Sequence, residues 1–208
     1  MSKRDARKGP QPELPLKARF THGGARPGAG RPRKADAGVP HAARRPLSRH
    51  HPVHLTFRMR AEVWNLRARR TFRPIQAALA GVHDRPGFRV VHFSVQGNHL
   101  HAIVEAADRV TLSSGAKAFA IRIAKGLNRV MRRRGPVFAD RHHARPLRTP
   151  AEVRNAVQYV VGNAASHAAR AGRPVAGAWV DPFCSAAADA APLVNGPTTW
   201  LLVKSTSR

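Results

Sequence analysis

Residues 94–106 read SVQGNHLHAIVEA. Gly97-Asn98 separates two runs of alternating polarity, VVHFSVQ before it and HLHAIVEA after it. A two-residue connection of this kind closes an antiparallel hairpin, with Gly supplying the positive φ. The turn sets the register: Gln96 faces His99, Ser94 faces His101 and His92 faces Ile103. Val91, Phe93 and Val95 then share a face with Leu100, Ala102 and Val104, which is the core face. The opposite face carries Ser94, Gln96, His99 and His101 and is polar.

Burying a core does not call for that pair of histidines. In a strand, residues i and i+2 point the same way with Cα atoms roughly 6.6 Å apart, so two imidazoles can converge on one ion. The chain holds 12 histidines, so the spacing needs a partner from elsewhere to become a site. Glu105 shares the face but lies roughly 13 Å along the strand from His101. The doublets His50-His51 and His142-His143 have side chains that diverge in an extended chain.

Outward from the hairpin, VHLTFRM (53–59) alternates with Val53, Leu55, Phe57 and Met59 on one face, a half-buried strand. Residues 61–82 have a helical pattern that Pro74 interrupts. Residues 112–134, LSSGAKAFAIRIAKGLNRVMRRR, read as a long helix. Phe119, Ile123, Leu127 and Val130 form its apolar stripe, and Arg122, Lys125, Arg129 and Arg132 line a second face without acidic partners, suited to tracking phosphates. PVFADRHHARPLRT reads as strand and loop. Thr149-Pro150-Ala151-Glu152 is a capping box that opens a helix running to about residue 169. Gly172-Arg173-Pro174 leads into a tail, where PTTWLLVK is apolar enough to dock back.

Residues 1–50 have neither helical nor strand period and are rich in Arg, Lys, Gly and Pro, which reads as a disordered basic arm. Within it, Gly30-Arg31-Pro32-Arg33-Lys34 resembles an AT-hook, whose extended Arg-Pro-Arg lies in the A·T minor groove. Nonspecific phosphate contact by Arg31 and Arg33 is the alternative. Three segments are therefore expected: the arm at 1–50, one domain at 51–170, and a tail at 171–208.

The 208-residue chain has 37 Lys and Arg against 11 Asp and Glu, a net charge of +26. A polyanion is the expected partner, because each neutralised phosphate releases counterions. A composition bias toward Arg and Ala is the plain alternative. No stretch is suited to spanning a bilayer, so no membrane partner is expected. The single cysteine, Cys184, excludes an internal disulfide and a cysteine-based zinc ribbon. The start lacks the apolar core of a signal peptide, which makes a cytoplasmic, nucleoid-associated location the expectation.

The capped helix supplies a partner for the histidines. In VRNAVQYVVGNAASH, Tyr159 and Asn163 are four apart and share a helical face. Tyr159 is the only tyrosine in the chain. A lone tyrosine in a Val-rich helix can also be a core residue, but an amide oxygen one turn along can ligate a hard ion.

Taken in order, HPVHLTFR, VVHFSVQGNHLHAIVEA, VFADRHHARPL and EVRNAVQYVVGNA resemble the HUH single-tyrosine transposases, in particular the REP-associated tyrosine transposases. The resemblance spans roughly residues 52–167. It departs from the usual pattern at Ala164 and Gly97, where proline is common, and neither change removes a chemical group. It implies an α+β fold with a single antiparallel sheet and helices packed on it. It also implies His99, His101 and Asn163 as ligands of a divalent metal, Mg²⁺ or Mn²⁺, with zinc a competitor. Tyr159 is implied as the nucleophile. The activity implied is cleavage and rejoining of single-stranded DNA at repeat hairpins through a 5′-phosphotyrosine. The expected partner is single-stranded or hairpin DNA, and the state a monomer or homodimer. A catalytically idle DNA-binding protein derived from such an enzyme is the alternative, and an RNA-binding protein would leave the four site residues unexplained.

Overall fold

The computed structural model describes residues 47–206. Strands β1 (Val53–Arg58), β2 (Phe88–Val95), β3 (His99–Ala106) and β4 (His143–Pro146) form one antiparallel sheet in the order β2-β3-β1-β4. The hairpin has the register its turn demands, with Ser94 opposite His101 and His92 opposite Ile103. Two details differ from the sequence reading. Among the described residues only Arg132, Gly87, Gly135 and Gly172 have positive φ, so Gly97 does not. The turn is held from outside instead: the Leu66 and Met59 amides donate to the Gly97 and Asn98 carbonyls, each at 2.9 Å. External hydrogen bonds replace the twist match of a primed turn. The second difference is at Val91, which was expected on the core face with Phe93. The register shifts between Val90 and His92, so Val91 is a bulge residue and rolls to the opposite face. Val90 takes its place.

Helix α1 (Arg69–His83) and helix α2 (Arg109–Val130) cover the face bearing Val53, Leu55, Phe57, Leu100, Ala102 and Val104. Their apolar stripes, Phe72, Ile75 and Leu79 from α1 and Phe119, Ile123 and Leu127 from α2, complete the main core. Residues 61–68 are not helical as their pattern suggested. Asn65 turns the chain there, accepting from the Arg67 amide at 2.9 Å through its side chain and from the Thr71 hydroxyl at 2.7 Å through its carbonyl. Pro74 lies inside α1 and does not interrupt it.

Helix α2 begins earlier than expected, on an Asp108–Thr111 capping box. It also ends earlier. Arg132 adopts φ 51°, and the Arg132 and Arg133 amides donate to the Arg129 and Asn128 carbonyls at 3.2 and 2.9 Å. This is a Schellman termination with arginine where glycine is usual.

The other face of the sheet lies under α3 (Pro150–Arg170), opened by the expected Thr149–Glu152 capping box, and α4 (Trp200–Thr206). A second core fills that side: Val91, Ile103, Leu147, Val153, Val160, Leu201 and Leu202. The C-terminal segment reaches it by running along the outer edge of β2. The Val95 amide donates to Phe183 and the Ser185 amide to Phe93, both at 2.9 Å, and the Asn195 amide donates to Val90 at 2.7 Å. Asp181 receives both guanidinium nitrogens of Arg67, at 2.9 and 2.8 Å. Glu105 accepts from the amides of Thr198 and Thr199, and so anchors the start of α4. No helix among the described residues is long and apolar enough to cross a membrane. The basic arm with its AT-hook-like Arg31 and Arg33 lies outside the described residues.

Candidate active site

His99 and His101 leave β3 on the face under α3, with ring centroids 4.8 Å apart. Strand β1 is their neighbour, and its register places Thr56 opposite His101 and Arg58 opposite His99. Alternation along β1 sends Val53, Leu55 and Phe57 into the main core, and therefore His54, Thr56 and Arg58 toward the histidines. Helix α3 crosses this half of the sheet. At one-turn intervals it carries Tyr159, Asn163 and His167. The Tyr159 ring lies 5.2 Å from that of His101 and 6.1 Å from that of His54, and the His167 ring lies 6.3 Å from that of His99. Asn163 is thus bracketed on the helix by two residues that meet the histidine pair. Tyr159 is 50% exposed and is not a core residue.

The imidazoles are held neutral. Burial, reinforced by the neighbouring His54, His99 and His167, pushes His101 down to about 3. Burial with His143 and Arg145 nearby pushes His54 down to about 4, and burial with His167 and Arg58 nearby lowers His99. A neutral imidazole has a lone pair to offer. His99 Nδ1 is 2.8 Å from the Asn98 amide oxygen, a contact that an Nδ1–H tautomer completes and that leaves Nε2 bare.

The donor set suits a hard or borderline divalent cation. His101 Nε2 and Asn163 Nδ2 are buried and have no hydrogen-bond partner. Such atoms are costly when left unsatisfied, and a half-turn of the Asn163 amide puts its oxygen in the orphaned position. No three His, Cys, Asp or Glu side chains among the described residues converge into a metal centre by themselves. A cation here would take the two imidazoles of His99 and His101 with the amide of Asn163, the expected set. Beside them a cavity of about 580 Å³ is lined by His54, Thr56, His101, His143, Arg145 and Tyr159 among others. The Tyr159 phenol and the Arg145 guanidinium both line it, and Arg145 is paired there with Glu152 at 3.3 Å.

The basic residues expected to bind DNA lie elsewhere. Arg122, Lys125 and Arg129 line a groove of about 790 Å³ between α1 and α2, together with Arg69, Arg70 and Arg73. None of its lining residues is acidic, and it faces away from Tyr159 across the sheet. Arg70 also stacks over the exposed Trp64, 4.9 Å from the ring centroid. Arg132 is past the helix end and does not line the groove.

Several residues of the site and groove were missed from sequence: His54, Thr56, His143, Arg145, His167 and the three α1 arginines. The polar side of VHLTFR and the i+4 step from Asn163 to His167 were available signals. Nothing local indicated that β4 would bring His143 and Arg145 alongside β1.

No family model matches the chain, and no curated protein does. Among solved structures, a REP-associated tyrosine transposase bound to a REP hairpin matches 77% of this chain and 93% of that chain, with a TM-score of 0.52 and 18% identity. The chain shares the fold of that transposase, a four-stranded antiparallel sheet with helices packed on it.

Proposed function

We propose that this chain is a single-tyrosine HUH transposase that cleaves and rejoins single-stranded DNA beside a hairpin. The observation that carries the reading is the meeting of Tyr159 with His101 under α3, with the unpartnered Asn163 one turn along. Residues 58 positions apart in sequence, Tyr159 and His101, meet only because α3 crosses the hairpin, and a structural role alone leaves His101 Nε2 and Asn163 Nδ2 unsatisfied. The shared fold with a transposase bound to a hairpin supports the substrate class.

In the proposed reaction the Tyr159 oxygen attacks the scissile phosphorus. A bond forms between phosphorus and the phenolic oxygen, and the bond from phosphorus to the 3′ oxygen breaks. The phenolic proton is lost to solvent, and the departing strand takes up a proton as a free 3′-OH. The 5′ side stays attached as a phosphotyrosine, so the bond energy is kept for rejoining when another 3′-OH attacks. A divalent cation held by His99, His101 and Asn163 would polarise the phosphate and offset the repulsion between two anions. Arg145 neutralises charge on the non-bridging oxygens from the cavity wall. Arg69, Arg70, Arg73, Arg122, Lys125 and Arg129 hold the DNA backbone on the far side of the sheet.

The test uses labelled single-stranded oligonucleotides from the DNA flanking the chain's own gene, with Mn²⁺ or Mg²⁺ added or chelated. The expected result is a metal-dependent cut with a covalent adduct, both absent in Tyr159→Phe while DNA binding persists. Binding without cutting under every metal would identify an idle DNA-binding derivative. Cutting that survives in Tyr159→Phe would overturn the tyrosine mechanism.

A further inference from the structure

Two atoms of β1 converge on the nitrogen of His101 that is turned away from its orphaned Nε2. His54 Nε2 is 3.1 Å from His101 Nδ1, and Thr56 Oγ1 is 3.2 Å from the same nitrogen. Thr56 is the direct cross-strand partner of His101, and His54 is the diagonal neighbour on the same face. The contact is therefore set by the ladder between the two inner strands.

An imidazole that offers Nε2 to a cation carries its proton on Nδ1, and that N–H needs an acceptor. The Thr56 hydroxyl donates and accepts equally well, so it selects neither tautomer. A ring nitrogen of His54 selects one only through its own tautomer, since the 3.1 Å contact fits either direction of donation. With its own proton on Nδ1, His54 presents a bare Nε2 that can only accept. We infer that His54 is the positioning residue of the site, holding His101 in its Nδ1–H form so that the buried Nε2 faces the site as a lone pair. This rests on the reading of the site as one that holds a cation. His54 is not itself a ligand, because its Nε2 is engaged by His101.

The test is carried out on the full chain. Histidine-ring ¹H–¹⁵N correlations on metal-free protein report the tautomers, and electron paramagnetic resonance of free Mn²⁺ reports affinity. Wild type, His54→Ala and His54→Gln are compared, each checked for cooperative thermal unfolding. His101 and His54 are both expected as Nδ1–H in wild type, the form that free histidine disfavours. In His54→Ala, His101 is expected to return to a mixture of tautomers, and Mn²⁺ binding to weaken by about 10–100-fold. His54→Gln keeps an acceptor oxygen at similar reach and is expected to restore most of both. That rescue separates a lost acceptor from a loosened strand. His101 protonated at Nε2 in wild type would overturn the inference, as would an unchanged tautomer and affinity in His54→Ala. If wild type binds no Mn²⁺, the cation reading falls. The tautomers then decide the role of His54 by themselves: loss of the Nδ1–H form in His54→Ala supports it, and the Nε2–H form in wild type refutes it.

Discussion

His101 is 5% exposed, yet one of its ring nitrogens has no partner. Burial first, and three neighbouring imidazoles after it, lower its pKa to about 3. The consequence for stability has a definite sign. A depressed histidine takes up a proton more readily in the unfolded chain than in the folded one. Stability is therefore complete above the ordinary imidazole value near 6.5 and is lost as pH falls from there toward 3. At pH 5 the loss from His101 is on the order of 2 kcal/mol. Urea unfolding of metal-free protein at pH 7.5 and pH 5 measures it, and His101→Gln should reduce the difference by about that amount, leaving what His54 and His99 contribute. A wild-type profile as flat as that of the variant would mean that His101 is not held neutral. Tyr159 contributes differently. It is half exposed and is not part of the buried core, so Tyr159→Phe should leave the fold intact and affect only the cleavage proposed above.

At the level of elements, helix α2 packs closely on the hairpin. A Cβ added at Gly115 would lie 2.2 Å from Cγ of the fully buried Phe88. Neither the strand nor the helix backbone can give way by that much. Gly115→Ala should cost about 1–3 kcal/mol in urea unfolding despite the better helix propensity of alanine. Indifference to the change would mean that α2 sits farther from β2. The far end of the same helix gives the opposite expectation. Arg132 occupies a left-handed position that penalises a Cβ, so Arg132→Gly should add about 1 kcal/mol of stability. Both ends of α3 and the start of α2 follow from hydrogen-bonding chemistry within a few residues. The capping box at Thr149 was legible for that reason, whereas the one at Asp108 uses threonine in place of the usual Glu or Gln and was missed.

For the molecule as a whole, the C-terminal segment is part of the fold. It shields the edge of β2, seals the second core with Leu201 and Leu202, and is tied back at Arg67–Asp181 and at Glu105. The Asp181 carboxylate is almost fully buried, and Phe183 stacks under the Arg67 guanidinium at 4.6 Å. Removing one member of such a pair strands the other. Asp181→Ala should destabilise by about 3 kcal/mol. It should also expose residues 181–206 to limited proteolysis before the sheet opens. Unchanged stability and protease resistance would show that the tail rests on the domain without supporting it.

The sequence by itself determined what short-range chemistry controls. The alternation through VVHFSVQGNHLHAIVEA placed His99 and His101 together on one strand face, and the i+4 step placed Tyr159 with Asn163 on one helix face. Register through a tight turn and the periods of strand and helix are local properties, so they can be read from a few adjacent residues. The tertiary structure decided everything that depends on which surfaces pack. It brought His54 and Thr56 beside His101 through the β1–β3 ladder, added His167 from above, and drew Arg145 alongside from β4. It also joined the arginines of α1 to those of α2 in one groove and rolled Val91 to the other face at a bulge. Each of these depends on which elements pair or pack at long range, and the spacing of neighbouring residues shows which side chains share a face but not what that face meets.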